Sequence, residues 1–407
     1  MASPGKVWDE ILRKIDDGYG DEALNLCREL IRRRSPPGME DEAASLIVDS
    51  MRRLGYDRVE TDEAGNVVGM IGGGGGDNAP TVLFDGHMDT VSEGLLSNWR
   101  HHPYSAVVED GVIHGRGASD MKGGLAAMVV ACSLVKDHLT GKDNGVAVAC
   151  VVHEEDCEGF GVRKVIEEYG RPGCVVLGEA TGLTLAVGHR GRVELEIEVR
   201  GRTAHGSTPD RGVNAIYRMM PVIQRVKAEE RIQFHPFLGS SSASVNRIWC
   251  SPDETPVVPD SCTVVVDRRT LPGETKQSIL SDGSRYLGDI DGEVRVAKRK
   301  ITCYTGYSEI VEQFFPAWTI SPEDEFVKTT REYLGSALKR EIPISKWLFS
   351  TDGAYTAGVE GIPTVGFGPG EERYAHTPED QVRRRDVLEA LKGYAALAIG
   401  LSKGRIG

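Results

Sequence analysis

Near the start of the chain, apolar positions recur at helical spacing. Ala23, Leu26, Cys27 and Leu30 form one set; Ala44, Ile47, Val48, Met51 and Leu54 form another. Residues three and four apart share a helix face, so two amphipathic helices are predicted, broken by Ser35-Pro36-Pro37-Gly38. The five glycines at 72–76, followed by Asp77-Asn78-Ala79-Pro80, read as a flexible strand-to-strand loop. A phosphate cradle is the other reading, but no Lys-Ser/Thr follows and no helix begins there. Between 81 and 179, strand-like runs (Val82-Leu83-Phe84, 146–152, Val175-Val176-Leu177) alternate with helical stretches. One of these is marked by Leu125, Met128, Val129, Cys132 and Val135. Strands joined by crossover helices predict a largely parallel sheet.

The period then changes. Val193, Leu195, Ile197 and Val199 alternate with Glu194, Glu196, Glu198 and Arg200, as in an antiparallel strand with one wet face. A helical pattern near 213–229, interrupted by Pro221, and strand-like runs near 262–268 and 293–297 suggest a small ferredoxin-like unit. After about residue 300 helix and strand alternate again, with Pro363-Thr364-Val365-Gly366-Phe367 as a strand candidate. The predicted fold class is α/β. A mostly parallel-sheet domain in two parts, 1–188 and 301–407, is interrupted by an α+β satellite at 189–300.

The length of 407 residues agrees with two domains. Lys+Arg 48 against Asp+Glu 61 gives a net charge of −13, which argues against nucleic acid and anionic membranes as partners. The eight cysteines are scattered, with no C-x-x-C pair, and several sit in apolar runs, as reduced thiols do. The N-terminal stretch is charged and amphipathic, unlike a signal h-region, and no apolar run approaches a membrane span. A cytoplasmic location is expected.

The chemistry lies at the ends of the predicted strands. His87-Met88-Asp89, Asp120, Glu154-Glu155, Glu179 and His376 each follow an apolar run or occupy a glycine-rich loop. Carboxyl ends of strands in an open α/β sheet form one rim, where ligands bind. Two imidazoles and several carboxylates on that rim suit a pair of Zn²⁺-like ions. His87 and Asp89 share a face, so one can bind metal while the other works beside it; alone they read as a capping histidine and a turn aspartate. Asp120 stands where a dinucleotide loop would need its third glycine, and it reads as a helix N-cap or as a carboxylate bridging two metals. Glu154 and Glu155 would repel unless positive charge lies between them. Their side chains diverge, which suits Glu154 as base and Glu155 as ligand; solvated loop acids are the alternative. Glu179 ends another buried strand and suits a terminal ligand.

These motifs stand in order: Phe84-Asp85-Gly86-His87-Met88-Asp89-Thr90-Val91, Gly115-Arg116-Gly117-Ala118-Ser119-Asp120-Met121-Lys122-Gly123-Gly124, His153-Glu154-Glu155, Gly178-Glu179 and Ala375-His376-Thr377-Pro378. From Leu26 to about Leu397 the chain resembles the zinc-dependent amidohydrolases and exopeptidases that include acetylornithine deacetylase, succinyl-diaminopimelate desuccinylase, aminoacylase and glutamate carboxypeptidase. The resemblance implies that Asp120 bridges two Zn²⁺ ions (Co²⁺ or Mn²⁺ would also serve). His87 and Glu179 would complete one ion, Glu155 and His376 the other. Asp89 would orient His87, and Glu154 would take a proton from the attacking water and later deliver it to the leaving amine. The Asp120–Met121 peptide is expected to be cis.

The satellite resembles the family's lid and dimerisation domain. Gly201-Arg202-Thr203-Ala204-His205-Gly206-Ser207-Thr208-Pro209 is similar to the lid motif, which implies a homodimer in which His205 reaches the partner's site and stabilises the oxyanion. Asp267-Arg268-Arg269-Thr270-Leu271-Pro272-Gly273 resembles the segment whose arginine grips a substrate carboxylate. That points to Arg269, with Arg268 as the other candidate. Many relatives carry a lid asparagine where this chain has Pro256-Val257-Val258-Pro259, and Asn246 is the substitute within reach of the motif. Thr351-Asp352-Gly353 and the segment 366–370, including Gly368, would line the substrate pocket. The expected activity is hydrolysis of an N-acyl amino acid, deacetylase- or desuccinylase-like. A metallo-exopeptidase acting on small peptides is the alternative. A non-catalytic binding protein would lack a ligand or the base, and none is missing; a serine hydrolase would need a G-x-S-x-G elbow, which is absent.

Overall fold

The computed structural model describes residues 4–72, 79–139, 145–229 and 233–403. Most of the glycine run at 72–76 therefore lies outside the described residues. The main sheet runs, in spatial order, Arg58–Thr61, Val67–Ile71, Val146–Val151, Val82–His87, Cys174–Leu177, Thr364–Gly366, Leu185–His189, Trp318–Thr319, with Ile344–Trp347 also paired to Leu185–His189. Its centre is parallel: Val82–His87 lies between Val146–Val151 and Cys174–Leu177, and Thr364–Gly366 adds beyond them. Both edges are antiparallel. The central strands are buried on both faces. Val82 and Phe84 join one core with the helix Gly123–Leu134, and Leu83, Ala147 and Val175 join the other. Doubly covered strands explain runs that are apolar without alternation.

Parallel pairing brings the carboxyl ends of these strands to one rim. Asp85 lies level with Ala149 and Leu177, so His87, Glu154 and Glu179 all emerge just past the same line. Gly366 is needed for the last of these strands to close. A Cβ there would sit 1.8 Å from Cη2 of the buried Trp347. We expect Gly366→Ala to destabilise the fold by ~1–3 kcal/mol, the usual cost of overpacking. An unchanged urea midpoint would show that the indole has room to move.

A second, all-antiparallel sheet is ordered Ser242–Ser251, Ser261–Thr270, Gly191–Arg200, Gly292–Val296. The helices Ala215–Lys227 and Lys276–Leu287 complete a β-α-β-β-α-β succession, the ferredoxin-like arrangement. It has its own core, with Val193, Leu195, Ile197 and Val199 facing Met219, Val222 and Ile279. The glutamates alternating with those valines are half-buried: Arg299 pairs with Glu194, and Arg295 with Glu196 and Glu198. Pro221 does not interrupt its helix. The carbonyl its missing N–H would have bonded belongs to Tyr217, an exposed residue on the outer face of the helix.

Candidate metal-binding active site

Local backbone geometry aims each polar group at the rim. The Asp120–Met121 peptide is cis, and Gly117 before it is left-handed at φ 82°. Asp380 fixes that loop: its carboxylate accepts the N–H groups of Gly117 (2.7 Å) and Ser119 (2.9 Å) and pairs with Arg116 (3.1 Å). Lys122 is wholly buried, and its ammonium donates to the carbonyls of Leu30 and Arg33 at the end of the helix Gly20–Arg32. His376 holds φ at 60°, uncommon away from glycine, which turns its imidazole back toward the sheet.

The side chains converge on Asp120. Nε2 of His87 lies 3.0 Å from its Oδ1, and Nε2 of His376 lies 3.3 Å from its Oδ2. Glu179 is 3.6 Å from His87, and Glu155 is 2.8 Å from His376. His87, Glu154 and Glu179 form one group of potential ligand atoms within 4.8 Å, and His87, Asp120 and Glu155 form another. Oε1 of Glu154 and Oε2 of Glu179 are buried without a hydrogen-bond partner. Asp89 serves its neighbours in two ways. Its main-chain carbonyl is 2.8 Å from Nδ1 of His87, while its carboxylate, 3.7 Å from that nitrogen, accepts the N–H groups of Glu154 and Glu155 at 3.2 and 3.0 Å.

Crowded buried carboxylates set the electrostatics. Burial raises Glu154 and Glu179 well above the ordinary carboxylate range, and nearby acids add to it. Burial also pushes Asp89 up to about 8. Asp120 goes the other way: burial disfavours its charge, but the two imidazoles on its oxygens outweigh that and lower its pKa. Asp120 and Glu155 raise His376 to about 10. The site is thus a nest of buried carboxyl groups in which the two imidazoles are the favourable partners of Asp120. A divalent cation would take over that role and release the imidazole protons.

Asp120, Glu154, Glu155, Glu179 and His376 line a cavity of about 310 Å³, closed on other sides by Glu158, Arg192, Arg269, Phe349, Ser350 and Glu372, while His87 and Asp89 are buried outside its lining. On the strand Ser261–Thr270 the two arginines face opposite ways. Arg268 points into the protein and is paired with Glu274 (2.6 Å) and Asp282 (2.7 Å), whereas Arg269 faces the cavity and is steadied by Asp267 at 3.0 Å. Three further expected residues are not brought into this cavity within one chain. His205 is exposed, its Nδ1 taken up by Ser207. Asn246 is exposed on the edge strand Ser242–Ser251, beside a bulge, and its amide oxygen accepts from Ser244. Gly368 is buried behind the rim, where a Cβ would come 2.3 Å from the carbonyls of Gly178 and Glu179. The 349–353 segment lends Phe349 and Ser350 to the cavity, while Thr351 and Asp352 are buried behind it.

Two pairs escaped the sequence reading. Arg192, at the start of the alternating strand, reaches the cavity and makes a bidentate pair with Glu158 at 2.8 and 2.7 Å. Asp85 lies against Asp352 beneath the site, and burial together with Asp352 holds its carboxyl well above the usual range. An aspartate inside an otherwise apolar strand was the available signal for the second pair.

Comparison with known proteins agrees with this geometry. The sequence profile of peptidase family M20/M25/M40 matches residues 83–399. The chain is 34% identical over 394 residues to the uncharacterised protein YgeY of Escherichia coli (strain K12), covering 96% of each. It is 27% identical over 267 residues to a succinyl-diaminopimelate desuccinylase of Marinobacter nauticus, covering 63% of this chain and 70% of that one. Its fold superimposes with a TM-score of 0.66 on the Bacillus subtilis YXEP protein, described as a dinuclear metal binding peptidase, at 15% identity over 94% of this chain and 98% of that one. The chain belongs to peptidase family M20/M25/M40 and is a hydrolase of amide or peptide bonds.

Proposed function

We propose that this protein is a dinuclear, zinc-class amidohydrolase that cleaves the amide bond of an N-acyl amino acid. The observation that carries the reading is Asp120, one carboxylate with an oxygen on each of two imidazoles from opposite ends of the sequence. The donor set fits the ions: imidazole and carboxylate are zinc-class ligands, and ligand atoms on a tetrahedral ion with ~2.0–2.1 Å bonds lie ~3.3 Å apart. The imidazole–carboxylate separations here run from 2.8 to 3.6 Å. His87 and Glu179 would hold one ion, Glu155 and His376 the other, with Asp120 shared. When bound, the pair lowers the pKa of the attacking water and polarises the scissile carbonyl. The dinuclear character of the Bacillus subtilis relative supports the count.

The remaining steps belong to the chain's own side chains. Glu154, which lines the cavity and keeps one buried oxygen without a hydrogen-bond partner, takes the water proton and passes it to the leaving amine. Asp89 fixes the Glu154–Glu155 backbone through its carboxylate and His87 through its carbonyl. Arg269 receives the substrate carboxylate, and Gly368 lets the 366–370 segment close behind Glu179. A metallo-exopeptidase is the second reading, favoured by Glu372 on the cavity wall, which suits a free amino group. Turnover on a panel of N-acetyl, N-succinyl and dipeptide substrates separates the two. Hydrolysis of none of them, with metal bound, would leave two explanations: a substrate outside the panel, or a binding role on the same fold.

His205 would act in the partner's site of a homodimer, donating to the oxyanion. The edge strand Ser242–Ser251, with Ile248 and Trp249 exposed beside Ile216, Tyr217 and Met220 of the neighbouring helix, offers the surface. Asn246 lies on the same strand. Glu154→Gln and His205→Ala homodimers should each be nearly inactive, yet their mixture should regain about a quarter of full activity through mixed dimers with one complete site. A fully active His205→Ala monomer would remove the donation in trans. All eight cysteines are free, in keeping with the proposed cytoplasmic location. Among the described residues no helix is long and apolar enough to cross a membrane.

A further inference from the structure

Away from the cavity, His101, Glu109 and His114 bring one ligand atom each within 4.8 Å of the others. A hairpin explains two of them. In the pairing of Val107–Glu109 with Val112–His114, Val107 lies opposite His114 and Glu109 opposite Val112, so Glu109 and His114 stand diagonally on one face. His101 comes from the segment before the hairpin. Its Nε2 is 3.4 Å from Oε2 of Glu109, and its ring centre is 5.2 Å from that of His114, with planes inclined at 51°.

We propose that these three residues form a further divalent transition-metal site, separate from the Asp120 centre. Two imidazoles and one carboxylate are the donor set of zinc- and nickel-class ions, not of Mg²⁺ or Ca²⁺, which want oxygen. The His101–Glu109 separation already equals a tetrahedral ligand edge, ~3.3 Å for bonds of ~2.0–2.1 Å. All three side chains are only partly buried, so an ion can enter from solvent and water can complete its shell. One group competes. Arg100 lies 2.9 and 2.8 Å from the two oxygens of Glu109, but its side chain is 74% exposed, and exposed pairs of this kind contribute little. Turning Arg100 into solvent frees the carboxylate. His101 and His114 also line a cavity of about 330 Å³ whose far wall includes Tyr374 and Pro378, on the segment that carries His376. The site therefore abuts the active-site rim without sharing a residue with it.

The test is equilibrium dialysis of the full chain against rising Zn²⁺, with metal counted by mass spectrometry, beside the His101→Ala/His114→Ala variant. The unchanged chain should saturate with one more ion per chain than the double variant, and turnover at low Zn²⁺ should be equal in both. Equal metal counts overturn the proposal. Should the double variant fold poorly, Glu109→Gln keeps both imidazoles and should weaken the additional ion tenfold or more; unaltered affinity there also overturns it. Both variants retain the Asp120 centre, so a negative result here leaves the dinuclear reading standing, and loss of that reading does not touch this difference.

Discussion

Glu154→Gln is expected to bind both ions as the unchanged chain does and to lose ~10²–10⁴-fold in kcat, the usual share of a positioned general base. The isostere keeps the shape of the side chain and both main-chain N–H groups that Asp89 receives, so the Glu154–Glu155 turn should survive. Only the ability to accept a proton is removed. Its Oε1 is buried without a hydrogen-bond partner, and Glu154, on the cavity wall, makes none of the short imidazole contacts that mark Asp120, Glu155 and Glu179. KM should therefore move little while kcat collapses. Metal analysis beside steady-state kinetics checks this. Retained turnover would remove Glu154 from the role of base, and lost metal would make it a ligand.

Asp120→Asn should do the opposite, removing metal first and activity as a consequence. The carboxylate faces His87 with one oxygen and His376 with the other, and an amide cannot offer two anionic oxygens. It would also leave Glu179 and Glu155 on either side without the shared ligand. We expect at least one of the two ions to be lost at micromolar free metal. A fall in kcat/KM of ~10³-fold or more should follow, since Lewis-acid stabilisation supplies several kcal/mol and each 1.36 kcal/mol is tenfold in rate. Two retained ions with activity within tenfold of the unchanged chain would show that Asp120 is not the bridge.

Much of this site can be read from the chain because strand ends carry information. An apolar run that stops at His87, Glu154 or Glu179 marks both a buried strand and the rim where it ends, and parallel pairing aligns those rims. The ferredoxin-like unit announces itself through the strict alternation of 193–200, whose apolar half forms a separate core. Contacts between distant segments are less legible. Nothing local says that Asp352 will lie under Asp85, or that Glu158 will claim Arg192 instead of leaving it on a wet face. Pro221 misleads for a related reason, since its cost depends on whether the carbonyl of Tyr217 is buried, which only packing decides. Arg268 and Arg269 show the limit most sharply. Adjacent residues of one type on a strand must face opposite ways, but which one faces the cavity depends on the partners Glu274 and Asp282 waiting inside.

The measurement closest to the central claim is a metal titration of the stripped protein, following hydrolysis of the best panel substrate as Zn²⁺ is added back. The dinuclear reading predicts no turnover without metal and a rise that reaches its full value only as a second equivalent binds at the Asp120 centre, reversed by chelator. Turnover that survives complete removal of metal, or that is complete at one equivalent with no further change, would contradict it.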